Sequence, residues 1–175
     1  MNQFKKVIFV LIRGVIHKID CFSPRKYMVL YVWYLKKIGI DLYGTPRFIH
    51  PSVSFDGKGY SKTHIGEGVV ISKEVLLLNH DYSINCGLKT IGKEKEKEAY
   101  WIKDIYIGNN VFIGARASIL PGTTIGDNCI IGTGCVVKGN IPSNSILVGN
   151  PAKIVANTVT WAHSKFVLND YYFED

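Results

Sequence analysis

The 175-residue chain is short of most features that place a protein quickly. No uncharged apolar run approaches the about 20 residues a bilayer-spanning helix needs. The one candidate, residues 7–12, is cut by Arg13 and precedes no small-residue cleavage site, so neither a signal peptide nor a membrane span is expected and Met1 is the expected start. The four cysteines, Cys21, Cys86, Cys129 and Cys135, include no Cys-x-x-Cys pair. That speaks against zinc ribbons and disulfide frameworks and for reduced thiols in the cytoplasm. Acidic residues are scarce at one end only. Residues 1–46 carry eight Lys and Arg against two Asp and Glu, and the other residues carry thirteen against twelve, so nearly all of the formal +7 is N-terminal. The remainder is almost neutral and shows no nucleic-acid-binding motif, which argues against a nucleic-acid partner.

What is present is a period. With 47% hydrophobic residues the chain can build one continuous core, and Ile107, Ile113, Ile119, Ile125, Ile131 and Val137 repeat at a strict spacing of six. The same phase runs upstream through Ile65, Ile71 and Leu77. Nine such positions would all be aliphatic by chance roughly once in 10⁵. Six residues advance a helix by about 600°, so the period cannot make one helical face, whereas a strand returns to the same face at every even step. Gly66, Gly108, Gly114, Gly126 and Gly132 follow their aliphatics, as a frequently turning chain requires. Val111, Ala117, Thr123, Cys129 and Cys135 supply mostly small side chains at the fourth place, able to fill a narrow interior. Three hexads close one triangular coil, and stacked coils pair short parallel strands about 4.8 Å apart. The reading is a β solenoid spanning 47–155, after a helical segment 1–46 and before a tail or short helix within 156–175.

Residues 107–155, with Ile-Gly-Asp-Asn at 125–128, Ile141-Pro142 and the closing Gly149-Asn150-Pro151-Ala152-Lys153-Ile154-Val155, resemble the C-terminal half of the hexapeptide-repeat acyltransferases. The resemblance implies a left-handed parallel β-helix. Asn79-His80-Asp81-Tyr82-Ser83 resembles a motif of sugar O-acetyltransferases of exopolysaccharide, capsule and O-antigen synthesis, with maltose and galactoside acetyltransferases more distant. Residues 78–106 break the column and read as one long loop thrown out of the coils, since long irregular segments in compact domains are commonly functional. The charge run at 93–98 reads as its solvated tip.

Two helices are expected first: Phe4, Ile8, Leu11, Ile12, Val15 and Ile19 follow helical spacing, and Ser23-Pro24 opens a second helix that Gly39 stops. Residues 158–168 suit a short terminal helix. The basic N-terminal segment has two readings: helices packed on the solenoid with solvated lysines, or a peripheral contact with the anionic inner membrane leaflet.

Acetyl transfer from a thioester to a hydroxyl needs a base, and imidazole suits the task. His80 stands where the repeat breaks, and the resemblance marks it as the general base. The resemblance further implies acetyl-CoA as co-substrate without a metal, a homotrimer, a sugar or sugar-linked acceptor, and a coenzyme groove between subunits. Carried onto this sequence, Gly114, Ala115, Thr133 and Gly134 line the pantetheine, the Ala115 amide faces the oxyanion, and Lys138 and Lys153 meet the phosphates. Lys138-Gly139 departs from the Thr-Lys of many relatives, and Lys153 replaces their Arg with a point charge. Asn79 of the motif, Asp56, Tyr82, Tyr100 and Trp101 are the candidates for acceptor binding, as aromatic faces and carboxylates suit sugars. Three alternatives stay open: an N-acetyltransferase on a nucleotide-linked amino sugar, a non-catalytic trimeric scaffold, and a zinc carbonic anhydrase of the same fold. The last needs three His ligands, and no two histidines here lie within ten residues of each other.

Overall fold

The computed structural model describes residues 3–169 and 171–173, with side chains from residue 10 onward. All nine aliphatics of the six-residue phase point inward and are at most 1% exposed. Each sits in a strand of two or three residues whose neighbour turns outward, as the two-residue period of a strand demands. The strands stack into three parallel sheets that form the faces of a triangular prism. The first face holds Asp41–Leu42, Thr63–Ile65, Ile105–Ile107, Thr124–Ile125 and Asn140–Ile141. The second holds Phe48–Ile49, Val70–Ile71, Phe112–Ile113, Ile130–Ile131 and Ser145–Val148, and the third Ser54–Phe55, Leu76–Leu77, Ser118–Ile119 and Val136–Val137. The coil therefore starts at Asp41 rather than at residue 47, because Asp41 already pairs with His64.

Coil length varies along the prism. Tyr106 pairs with Thr124, 18 residues on, which is three hexads. His64 pairs with Tyr106, 42 residues on, so 24 residues leave the prism and return in register. Ser54 pairs with Leu76 after 22 residues, because a short 3₁₀ turn, Tyr60–Lys62, bulges from the same edge.

The edge between the first and second faces is held by a ladder. Asn110, Asn128 and Asn144 adopt left-handed φ of 53°, 57° and 62°, and their amides bond in series at 2.9 and 3.1 Å. Between the second and third faces the coils approach so closely that a Cβ on Gly114 would lie 2.7 Å from the Thr133 nitrogen.

Both ends of the prism are covered. Helices α1 (Gln3–Asp20) and α2 (Pro24–Ile38) lie over the first coil. Ser23 caps α2 by accepting from the Lys26 amide, Pro24 opens it, and Gly39 ends it at φ 105°. Phe48–Ile49 is the outermost strand of its sheet on that side, and α2 satisfies its backbone: Tyr27 Oη donates to the Ile49 carbonyl at 2.7 Å, and Met28 Sδ accepts from the Ile49 amide. Tyr27, Tyr31 and Leu35 are at most 1% exposed. At the far end Lys153–Asn157 pairs antiparallel with Ser145–Val148 and leads into the last helix, Thr158–Leu168.

The segment expected to be an irregular loop has structure. His80–Asp81 and Trp101–Ile102 form an antiparallel pair around a short helix, Ile84–Thr90, and the coil resumes at Ile105. Residues 91–98, including the charge run, are exposed.

Candidate active site

The extruded segment leaves the prism between the third and first faces, and Asn79 forms its neck. Its amide nitrogen donates to the carbonyls of Lys62 and Lys103, its amide oxygen accepts from Thr63 Oγ1, and it is fully buried. Asn79 was expected to bind the acceptor. The structure corrects this, because every polar atom of the side chain is bonded within the protein and no part of it reaches solvent.

His80, the next residue, is held by Asp56 from one coil earlier. The Asp56 side chain is only 4% exposed, and its two oxygens take four donors: the amides of Lys58, Asn79 and His80, and the His80 ring at Nδ1. Burial alone would raise the Asp56 pKa. The His80 ring and the two amides of Lys58 and His80 outweigh that and hold the carboxyl below its usual range. An ionised carboxylate can only accept, so Nδ1 carries a proton there, and Nε2 has no partner among the described residues. The His80 side chain is 26% exposed. Asp56 was expected to bond the acceptor. It is instead turned under the ring, where its oxygens are saturated.

Aromatic residues wall this edge. Tyr82 and Tyr100 stand edge-on to the His80 ring, with centroids at 5.4 and 6.3 Å, and pack on each other at 5.2 Å. Lys58 Nζ lies over both phenol rings at 4.6 and 4.5 Å and donates to Tyr82 Oη. Trp101 is 43% exposed, with Lys103 Nζ 5.6 Å from its ring centroid. Lys138 is exposed on the same edge and acts through space on Asp81. Asn85 braces the segment, since its amide bonds the Tyr82 carbonyl and both backbone groups of Ala99. Neither Lys58 nor Asn85 was legible in the sequence. No spacing rule links them to His80, and only the register of the coils does so.

The remaining expected residues lie elsewhere. Gly114, Ala115, Thr133 and Gly134 occupy the edge between the second and third faces, while Lys153 follows the last coil and is exposed. Within one protomer the expected residues therefore form two groups on different prism edges. Gly134 bonds the Ala115 carbonyl, whereas the Ala115 amide has no protein acceptor among the described residues. Broad concavities of about 1010 and 700 Å³ lie at α2 and at the terminal helix, away from His80.

A second histidine has the opposite arrangement. His64 bonds Asp41 at Nδ1 (2.7 Å) and Asp104 at Nε2 (3.1 Å), stacks on Tyr106 at 4.2 Å, and is joined by a Lys62–Asp104 pair at 3.2 Å. Burial lowers its pKa, but the two carboxylates together raise it above the ordinary value. Among the described residues no group of three His, Cys, Asp or Glu is placed to hold a metal ion.

Comparison with known proteins gives this geometry a setting. Residues 104–139 match the bacterial transferase hexapeptide model of six repeats. The galactoside O-acetyltransferase of Escherichia coli K12 is 36% identical over 115 residues, covering 63% of this chain and 49% of that protein. A putative lipopolysaccharide biosynthesis O-acetyl transferase, WbbJ, of the same strain is 29% identical over 94 residues, covering 52% and 48%. The chain thus spans about half the length of these curated relatives. A solved galactoside acetyltransferase in complex with coenzyme A superposes with a TM-score of 0.56 at 23% identity, covering 94% of this chain and 85% of that one. Residues 104–139 thus carry the hexapeptide repeat, and the coil as a whole has the fold of the solved galactoside acetyltransferase, a left-handed parallel β-helix.

Proposed function

We propose that the chain is an acetyl-CoA-dependent O-acetyltransferase that modifies a sugar hydroxyl in cell-surface polysaccharide synthesis, with His80 as general base. The observation that carries this reading is the committed Nδ1 and open Nε2 of His80 on an aromatic-lined edge. As the sugar oxygen attacks the thioester carbonyl, its proton passes to Nε2 and a C–O bond forms. The oxyanion then collapses, the C–S bond breaks, and Nε2 returns the proton to the departing thiolate. Asp56 stabilises the imidazolium between these steps, and a positioned base of this kind supplies typically 10² to 10⁴ in rate.

The second edge supplies what the first lacks. The unpaired Ala115 amide is suited to the oxyanion. Gly114, Thr133 and Gly134 would line the pantetheine, and Lys138 and Lys153 would face the phosphates. Tyr82, Tyr100 and Trp101 would meet the sugar. Because the two groups lie on different edges, the reading requires a homotrimer in which one copy's Ala115 edge meets the next copy's His80 edge, closing three identical sites. The O-acetyl transfer named for the galactoside and lipopolysaccharide relatives supports a hydroxyl acceptor, and a cytoplasmic location at the inner membrane face suits the assembly of such saccharides.

Thiol release from acetyl-CoA, screened against free, nucleotide-linked and lipid-linked sugars, tests the reading. Release with at least one hydroxyl acceptor is expected. Release only with amino sugars, or with none, would overturn it.

A further inference from the structure

The two N-terminal helices have a face that neither packing nor acetyl transfer uses. At 100° per residue, the exposed α1 residues Val10, Gly14, Lys18, Leu11 and Val15 fall within one arc of about 140°. In α2, beyond Pro24 at its first position, the exposed residues run, in order around the axis, Arg25, Lys36, Val29, Trp33, Lys26, Lys37 and Leu30, again within about 140°. Phe22 joins the two arcs at the turn and is 89% exposed. The opposite sides are committed. Tyr27, Tyr31 and Leu35 are buried, and Ile16 and Arg13 of α1 reach the coil side, where Arg13 bonds the Val53 carbonyl at 3.4 Å. Among the exposed described residues from 10 to 39, seven are large and apolar, five are basic and none is acidic. Around Arg25, Lys26, Val29 and Leu30 they line a depression of about 510 Å³.

We infer that this face docks on an anionic phospholipid bilayer. The pattern decides between occupants. Lysine is depleted at protein interfaces, and a surface with five exposed basic residues and no exposed acidic one calls for an anionic partner. Here the basic residues of α2 flank the apolar pair, with Val29 and Trp33 lying between Arg25 and Lys36 on one side and Lys26 and Lys37 on the other. That is the arrangement of a helix lying in a membrane interface: apolar side chains enter the acyl boundary, aliphatic stems lie along it, and ammonium and guanidinium groups meet phosphates. Tryptophan is favoured at that depth. The absence of acid supplies the charge complementarity, and the attraction is reversible because salt screens it. The inference rests on the two helices alone and does not depend on the acetyl-transfer reading.

Flotation of the full chain with vesicles, without acetyl-CoA, tests it. Vesicles of phosphatidylcholine with a quarter phosphatidylglycerol should bind at least about tenfold more protein than phosphatidylcholine alone. The quadruple variant Arg25→Gln, Lys26→Gln, Lys36→Gln, Lys37→Gln should lose that preference while keeping the wild-type circular dichroism spectrum. Brominated acyl chains should quench wild-type fluorescence, and Trp33→Phe should remove the quenching. Equal or absent binding to both vesicle types would overturn the inference, as would anionic binding that survives the quadruple variant or leaves Trp33 unquenched. A Val29→Ser, Trp33→Ser variant that changes oligomeric state instead of lipid binding would make the face a protein interface and also overturn it.

Discussion

Two histidines, His64 on the first face and His80 on the extruded segment, differ in how many of their ring nitrogens the protein engages. Each bonds a carboxylate through Nδ1. At His64 a second carboxylate, Asp104, occupies Nε2, and Tyr106 covers one face of the ring. Against the lowering by burial the two carboxylates raise the ring's pKa, and together they pin the first coil to the resumption of the third. At His80 the second nitrogen has no partner among the described residues, and the flanking tyrosines stand nearly perpendicular to the ring. The number of engaged nitrogens, not the presence of an aspartate, makes the difference.

The comparison breaks most sharply at His80. His80→Gln should fold normally and lose at least about 10² in kcat, the lower end of general-base catalysis, in a thiol-release assay. Near-normal turnover in a folded variant would remove the base from the mechanism. Asp56→Asn keeps an acceptor beside Nδ1 but removes the charge that stabilises the imidazolium, so kcat should fall roughly tenfold or more with a smaller change in KM, read from full saturation curves.

His64→Gln should leave kcat unchanged and alter stability instead. The folded His64 pKa is raised, so its contribution is complete below the unfolded value of about 6.5 and is lost as pH rises through the folded value. The variant should therefore be less stable than wild type in acid and converge on it at alkaline pH, as followed by thermal unfolding. His17 runs the other way. Burial against Tyr27 and Tyr31, then Arg13 and His50, lowers its pKa to about 4. Its contribution is complete above about 6.5 and is lost as pH falls towards 4, so His17→Gln should flatten the wild-type decline in that window. The ring is only half-buried, and the expected size is on the order of 1 kcal/mol after solvent screening.

The prism was readable because its cause is local. One inward position in six gives the column, and Ser23, Pro24 and Gly39 mark α2 at both ends with residues that do the capping. The position of His80 at the break in the column was readable for the same reason. Its partner was not. Asp56 lies 24 residues earlier, a distance set by a 22-residue coil whose extra length is the bulge at Tyr60–Lys62, and no hexad count foresees that bulge. Asn79 illustrates the converse error: a motif residue was assigned to the acceptor when its work is to tie three backbone segments at the neck. The ordered segment between Asp81 and Trp101 escaped because it is stabilised by Asn85 reaching Ala99, a contact without periodicity.

The most direct test is selective acylation of the histidines with diethylpyrocarbonate near neutral pH, followed by peptide mass spectrometry and thiol release on the same samples. The reagent needs an unprotonated, accessible ring nitrogen. His80 should be modified well before His64, activity should fall in step with His80 modification, and acetyl-CoA with acceptor should protect it. Modification of His64 first, or full activity with His80 acylated, would contradict the assignment of Nε2 of His80 as the base.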